Sequence, residues 1–366
     1  MSLNIKSSIH DYSVTECADL AEAVRTVSQG RNVFALIDKA LLELPHRAAF
    51  ETLPAARVTP VEATESQKSI ENVPWIFSSL LERGFRRDCE LLAVGGGVIQ
   101  DTACFVASVL LRGVRWSFIP TTLLAQCDSC IGSKSSINIG KFKNQIGNFY
   151  PPNEIALTTE VLSTLPPDEI RSGMGEAIKL HLLSSEADAA VLRKLLAAYQ
   201  ADPGALRDII WSSLHIKQRY IEADEFDKGI RNILNYGHTF GHAYESVTGY
   251  SIPHGIAVSL GVATATFVSE KLALAPEGHF DEVNALLYPW YAPYQLQVAG
   301  LNVDQVIGAM KLDKKNTSTV MNCILTGGFG KMEKRPVNPE AELRPLLKEY
   351  FGRVGCEPAA GSCKTG

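Results

Sequence analysis

The chain has 366 residues, 46% hydrophobic and 20% charged, with a net charge of -5. That is the balance of an ordinary globular protein, long enough for two domains of ~150 residues. The acidic balance argues against general nucleic-acid binding, which needs a basic surface to displace counterions. The absence of an apolar run of ~18 residues argues against a membrane span.

The first residues, MSLNIKSSIHDYSV, carry no apolar stretch of the kind a secretory signal needs, so a cytoplasmic protein is expected. Val33 to Ile37 reads as a buried strand. Leu91 to Val94 reads as another, running into Gly95-Gly96-Gly97. Val98 to Leu111 has helical composition, and Trp116 to Ile119 reads as a strand that ends at Pro120-Thr121-Thr122. Strand, helix and strand in this order predict a parallel α/β sheet. Beyond about residue 160 helical periodicity dominates: Pro167 to Leu183, Ala187 to Ala201, Leu206 to Glu222, Asn232 to Thr248 and Gly255 to Leu274. With Pro151-Pro152 near the boundary, the reading is an α/β nucleotide-binding domain over 1–158 and an all-α domain over 159–352. A disordered tail is expected over 353–366.

The eight cysteines, Cys17, Cys89, Cys104, Cys127, Cys130, Cys323, Cys356 and Cys363, are scattered. Cys127 and Cys130 are a CxxC-like pair without a second pair at zinc-ribbon spacing, so reduced thiols are the better reading.

A glycine run between a strand and a helix lets backbone approach a pyrophosphate, and the helix N-terminus supplies free N–H groups. GGGVIQD is not the GxGxxG fingerprint, and a tight turn needing positive φ is the alternative. Asp101 is then either a dipole partner for its helix or a holder of nicotinamide or ribose. His238 and His242, four apart, share one helix face, which suits a metal site or a hydrogen-bonded core pair equally well. Pro253-His254-Gly255 sets a third histidine in a turn, and Glu176 in GMGEAIK is a candidate carboxylate. Lys134, Lys143, Lys179, Lys217, Arg231, Lys314 and Lys315 read singly as solvated surface charges, but several sit inside apolar or Gly/Asn-rich segments. Clustered, they would bind phosphate and carboxylate groups, with Asp128 and Asn144 as polar positioners.

Several segments occur in a recognisable order: GGGVIQD, LRGVRWSFIPTTLLAQCDSCIG, KNQIGNFYPP, GMGEAIK, RNILNYGHTFGHAYE, PHG and MKLDKK. On these the chain resembles the dehydroquinate synthase and sugar-phosphate cyclase family from about Asp38 to Gly330. The resemblance implies an NAD-binding first domain and a metal- and substrate-binding second domain. It implies a divalent metal, zinc or cobalt, held by Glu176, His238 and His254. By the same resemblance His242 moves protons around the phosphate. Substrate contacts are implied for Asp128, Lys134, Lys143, Asn144, Lys179, Lys217, Arg231, Asn235 and Lys315, and Arg112 would reach across a homodimer interface. NAD contacts are implied for Asp38, Glu65, Lys68, Gly95, Gly96, Val98, Asp101, Thr121, Thr122 and Leu124.

The implied reaction converts 3-deoxy-D-arabino-heptulosonate 7-phosphate to 3-dehydroquinate and phosphate. It proceeds by transient oxidation by NAD, phosphate elimination, re-reduction and aldol closure, and so makes the enzyme a lyase. A cyclase of sedoheptulose 7-phosphate or of an amino analogue, and a metal-dependent glycerol-type dehydrogenase, are the alternatives. The chain departs from the family's common pattern at Ala40 (Asn), Gln100 (Gly), Ser133 (Gly) and Ile256 (Glu), and it lacks a Pro-Leu-Gly before Lys143-Asn144.

Overall fold

The structure is a computed structural model and describes residues 1–43, 45–140, 142–311 and 320–355. Its contacts divide into two compact units. The first comprises Met1–Gly173 with Asp202–Arg231, and the second Met174–Ala201 with the described chain from Asn232 onward. The segment Asp202–Arg231 of the first unit therefore lies beyond the single cut that periodicity suggests at 158–159.

The first unit is built on a seven-stranded sheet. Its strands are β1 (Ser2–Ile5), β2 (Tyr12–Glu16), β3 (Val33–Asp38), β4 (Val58–Val61), β5 (Glu90–Gly95), β6 (Trp116–Pro120) and β9 (Glu154–Leu157). They lie in the order β1-β2-β9-β6-β5-β3-β4. Every neighbouring pair is parallel except β1–β2. The central strands VFALID, ELLAVG and WSFIP are mostly apolar and buried along nearly their whole length, as strands covered on both faces must be. The core holds Phe34 against Phe85, with ring centroids 5.2 Å apart. Buried Trp116 donates its indole N–H to the Pro151 carbonyl at 2.9 Å, which satisfies the one polar atom the ring carries. Helices α1 (Leu20–Ser28), α2 (Val73–Glu82) and α3 (Gly97–Val109) connect the strands. The pair β7 (Ile137–Ile139) and β8 (Phe142–Ile146) forms a separate hairpin.

The expected strands and α3 are present with ends shifted by one or two residues. The strands β1, β2, β4 and β9, only four or five residues long, leave no comparable signal.

Helix α4 (Pro167–Ser184) spans the boundary of the units, α5 (Glu186–Ala201) belongs to the second, and α6 (Leu206–Ala223) returns to the first. The second unit continues with α7 (His238–Val247), α8 (His254–Lys271), α9 (His279–Tyr291), α10 (Gln295–Ala299), α11 (Val303–Lys311) and α12 (Arg344–Gly355). It also carries a hairpin, β10 (Met321–Thr326) with β11 (Met332–Val337), so this unit is helical but not purely α. The helix expected over Asn232 to Thr248 is two pieces. A 3-10 turn (Ile230–Asn235) ends before Gly237, whose φ of +79° breaks the helical path, and α7 starts at His238. Helix α12 carries Arg353 and buried Val354, so the first residues of the tail expected over 353–366 are helical; residues 356–366 lie outside the described chain.

Helix α8 is buried from Gly255 to Ser269. An apolar face all round is what such a central position demands. Small residues let its neighbours approach. A Cβ on Gly261 would sit 2.1 Å from the Gly237 carbonyl oxygen, and one on Gly175 of α4 would sit 2.3 Å from the Gly255 carbonyl. No helix among the described residues is long and apolar enough to cross a membrane.

Helix propensity alone favours Ala over Gly by about 1 kcal/mol. At Gly261 the backbone clash outweighs it. Gly261→Ala is expected to destabilise the protein by about 1–3 kcal/mol, read as a lower urea midpoint with an unchanged slope.

Candidate active site

In the second unit the close approach of α4, α7 and α8 gathers one carboxylate and three imidazoles. Glu176 on α4 is 1% exposed. Its Oε1 lies 3.8 Å from His238 Nε2 and 3.6 Å from His254 Nε2, and takes no hydrogen bond. The other carboxylate oxygen pairs with Lys179, one turn further along α4. His242, the exposed member of the group, brings its ring centroid to 5.3 Å from that of His238 and 5.7 Å from that of His254. One donor atom from each histidine lies within 4.8 Å of the others. The His238/His242 pairing read from spacing and the Glu176/His238/His254 set thus share one cluster.

Second contacts aim the two ligand-competent nitrogens. His238 Nδ1 meets the Tyr236 carbonyl at 3.2 Å, and His254 Nδ1 meets the Glu245 carboxylate at 3.3 Å. Each leaves Nε2 to face Glu176, the outer-shell arrangement that fixes tautomer and ring plane at metal centres. Burial first, and then the Lys179 ammonium, hold the His238 imidazole well below its usual range, which keeps it neutral. For His254 burial opposes the charge, but the Glu245 hydrogen bond and the Glu245 and Glu176 charges outweigh it and raise the pKa.

A buried carboxylate oxygen without a hydrogen bond, facing two oriented imidazole nitrogens, fits a divalent cation. Donors ~2.1 Å from a tetrahedral ion lie roughly 3.4 Å apart, close to the spacings seen. Two His and one carboxylate suit zinc or cobalt. Asn235, in the same unit, donates its side-chain amide to the Asn232 carbonyl at 3.0 Å. The Cys127 and Cys130 thiols of the first unit are buried and form no disulfide; Cys127 donates to the Gly173 carbonyl at 3.4 Å, and burial pushes the Cys130 thiol up to about 12.

The first unit collects the cations. A π-helical turn (Ala125–Ser129), a geometry that recurs at functional sites, carries Asp128. Lys217 of α6 donates to the Asp128 carbonyl at 2.6 Å and pairs with its carboxylate at 2.7 Å. Gln100, a departure from the family pattern, bolts this turn: its amide donates to the Ser129 carbonyl and accepts from the Ser129 hydroxyl at 2.6 Å. Lys134 pairs with Asp227, and burial, with Arg231 and Lys217 nearby, lowers its pKa. Arg231 is 4% exposed and donates to the Gly132 carbonyl at 2.9 Å and to the Glu225 carbonyl. Ser133, another departure, holds a φ of +67°, the left-handed region where glycine is the easier residue.

The expected cofactor residues also lie in this unit. Gly95 ends β5 and Gly96 caps α3. None of Gly95, Gly96 and Gly97 has positive φ, so close approach, not turn geometry, explains the first two. A Cβ on Gly96 would lie 2.8 Å from Thr122, and one on Gly95 would lie 2.4 Å from Ile99. Thr121 N–H closes the strand end on the Gly95 carbonyl at 2.9 Å, and the Thr122 hydroxyl accepts from Ala125 N–H at 3.2 Å. Leu124 precedes the π-turn, and Val98 lies in the first turn of α3. Asp38, at the end of β3, accepts from Ala40 N–H at 3.1 Å. Ala40, the third departure, thus still supports Asp38 through its backbone.

Lys68, 7% exposed, reaches Asp101 at 3.0 Å, Asn144 Oδ1 at 3.0 Å and Glu65 at 3.5 Å. Asn138 of the hairpin donates to Glu65 at 2.9 Å and accepts from Asn144 N–H at 2.8 Å. Sequence reading missed Asn138, along with Glu245, Tyr236 and Asp227. Arg112 is exposed, with φ +69°, and Lys143 is half-buried in β8. Ile256 is buried in α8. Lys314 and Lys315 lie outside the described residues.

With this geometry established, comparison with known proteins is decisive about lineage. Family models described as 3-dehydroquinate synthase N-terminal and C-terminal match residues 58–172 and 173–316. A 3-dehydroquinate synthase of Xylella fastidiosa is 36% identical over 340 residues, covering 87% of this chain and 90% of that protein. The chain belongs to the 3-dehydroquinate synthase family. The Xanthomonas campestris 3-dehydroquinate synthase is 35% identical, over 91% of this chain and 93% of its own. Among solved structures, 2-deoxy-scyllo-inosose synthase complexed with carbaglucose-6-phosphate, NAD+ and Co2+ matches with TM-score 0.82 at 22% identity, covering 95% of this chain and 99% of that one. Glycerol dehydrogenase of Schizosaccharomyces pombe matches with TM-score 0.64 at 17% identity, covering 93% and 90%. At these identities the two structures establish the shared fold.

Burial raises the Asp101 carboxyl to about 6, while Lys68 pulls it down. Because this folded pKa exceeds the unfolded one, the carboxyl takes up its proton as pH falls through about 6, and its contribution to stability is lost as pH rises through that value. Carbon-13 NMR of the Asp101 carboxyl is expected to show a midpoint near that pH. Lys68→Met is expected to move the midpoint upward by at least ~1 unit.

Proposed function

We propose that this protein is a 3-dehydroquinate synthase, an NAD- and metal-dependent lyase of the shikimate pathway acting on 3-deoxy-D-arabino-heptulosonate 7-phosphate. Family membership supports the reaction class. The observation that carries the chemistry is the buried Glu176 oxygen without a hydrogen bond, facing the Nε2 atoms of His238 and His254.

Glu176, His238 and His254 would hold the metal, zinc or cobalt. When bound, the ion supplies Lewis acidity and NAD supplies a hydride acceptor that is restored within each turnover. Lys179 balances the Glu176 charge and presents an ammonium beside it. His242, exposed at the edge of the cluster, would carry a proton to or from a phosphate oxygen. Lys134, Lys217 and Arg231 form the anion-binding set, with Lys217 held by Asp128. A planar guanidinium presents two parallel N–H groups, which suits the carboxylate of a keto acid. Asn235, Lys143, Asn144 and Lys315 would hold hydroxyl or phosphate oxygens.

Asp38, Glu65, Lys68, Gly95, Gly96, Val98, Asp101, Thr121, Thr122 and Leu124 form the NAD-binding set. Gly95 and Gly96 keep the backbone bare beside the α3 N-terminus, where a pyrophosphate is favoured. Exposed Arg112 is assigned to the neighbouring site of a cytoplasmic homodimer.

The glycerol-type dehydrogenase reading shares the fold. It has no use for the cations Lys134, Lys217 and Arg231, the last two of them buried, whereas a phosphorylated keto acid does.

Purified protein with NAD, a divalent metal and the deoxy-keto acid phosphate is expected to release one phosphate per dehydroquinate with no net NADH. NADH accumulating in step with product would replace the cyclase by the dehydrogenase. His254→Ala is expected to lose at least ~10-fold in metal affinity, measured as metal content after gel filtration. Full occupancy in that variant would remove His254 from the ligand set.

A further inference from the structure

The guanidinium of Arg231 donates to two backbone carbonyls, those of Gly132 and Glu225. A carbonyl aims a guanidinium only as firmly as its own residue is held. Both residues are held by the same short stretch of chain, β1, β2 and the loop between them, which precedes residue 58 where the family models begin to match.

On one side, Gly132 N–H donates to the Tyr12 hydroxyl at 2.9 Å. Tyr12 opens β2 and is 4% exposed, so its ring is fixed by the sheet. Gly132 has φ +111°, and a Cβ there would lie 2.4 Å from the Arg231 guanidinium. That position is therefore bare to let Arg231 approach, and its peptide depends on Tyr12 for a partner. On the other side, the Glu225 carboxylate accepts from the Ser7 hydroxyl at 2.5 Å and from Ser8 N–H at 2.7 Å. Its neighbour Asp224 accepts from the N–H groups of Lys228, Gly229 and Arg231 at 2.9, 2.7 and 3.1 Å, which winds the loop into one compact turn.

We propose that the β1–β2 segment is a positioning element for the substrate-binding arginine, acting through Tyr12 on the Gly132 side and through Ser7 and Ser8 on the Glu225 side. The inference rests on the reading in which Arg231 meets the carboxylate of the substrate. Arg231 has five N–H donors in a rigid plane. Pinning some of them to two carbonyls fixes the direction of those that remain, and bidentate recognition of a carboxylate depends on that direction. Neither Tyr12 nor Glu225 is assigned a contact with substrate, so their effect passes through Arg231.

The test compares holoenzyme Tyr12→Phe, Glu225→Ala and Glu225→Gln with wild type, and Lys6→Ala as a control on the same loop. Tyr12→Phe and Glu225→Ala are expected to raise KM for the keto-acid phosphate roughly tenfold with kcat within about twofold. Glu225→Gln, which keeps an acceptor oxygen for Ser7 and Ser8, is expected to recover most of the loss, and Lys6→Ala to match wild type. Inhibition by sedoheptulose 7-phosphate, which has no carboxylate, is expected to stay unchanged in all four. An unchanged KM in folded Tyr12→Phe and Glu225→Ala would overturn the proposal.

Arg231→Lys separates the two layers. If it alone raises KM, the positioning claim fails and the substrate role stands; if even it leaves KM unchanged, the substrate role is what fails. Hydrogen exchange over residues 224–231 needs no turnover. Faster exchange in Glu225→Ala supports the clamp, and unchanged exchange overturns it whatever the reaction proves to be. Should Tyr12→Phe fail to fold, the two Glu225 variants carry the test, since that carboxylate is only partly buried.

Discussion

Glu176 is a carboxylate taken almost wholly out of water, and the second unit is arranged around that fact. An unpaired buried charge of this kind costs several kcal/mol even after relaxation. The chain answers with Lys179 on one oxygen and with two imidazole nitrogens, but no hydrogen-bond donor, on the other. A purely structural ion pair would have satisfied both oxygens. Leaving one free beside two imidazole nitrogens is an arrangement that suits a cation, and a metal bound there would contribute to the stability of the fold as well as to its chemistry.

That convergence depends on backbone proximity rather than on the histidines themselves. Gly175, Gly237 and Gly261 permit helix axes to approach until a Cβ would strike a carbonyl oxygen. Only at that separation can side chains from α4, α7 and α8 reach a common point. The second contacts from Tyr236 and Glu245 then rotate the rings. Packing, electrostatics and chemistry are thus one constraint seen at three scales.

The first unit solves a different problem, that of keeping buried cations ionised. Lys217 is held by Asp128, Lys68 by Asp101 and Glu65, and Arg231 by two carbonyls. Each of these cations has a fixed partner. The departures at Gln100 and Ser133 fall within this scaffold. Gln100 adds a two-point bond to the turn bearing Asp128, while Ser133 accepts a left-handed backbone that glycine would hold more easily.

What the sequence by itself determined are the features whose physics is local. Apolar runs specify the central strands because both faces are covered, and the 3.6-residue period specifies α4 to α6 and α8. The ordered motifs around Gly95, Glu176, His238 and His254 identify the family. Tertiary structure decided the rest. Whether His238 pairs with His242 or with a glutamate some sixty positions away depends on how closely helices pack, which no window of sequence contains. The reason for Gly95 and Gly96 proved to be contact with Ile99 and Thr122 rather than backbone sign, and the break at Gly237 separated what periodicity had joined. The short edge strands, the β10–β11 hairpin and the hold of Tyr12 and Glu225 on Arg231 rest on partners far along the chain. Long-range contacts are what folding creates, and the residues that make them look ordinary until their partners arrive.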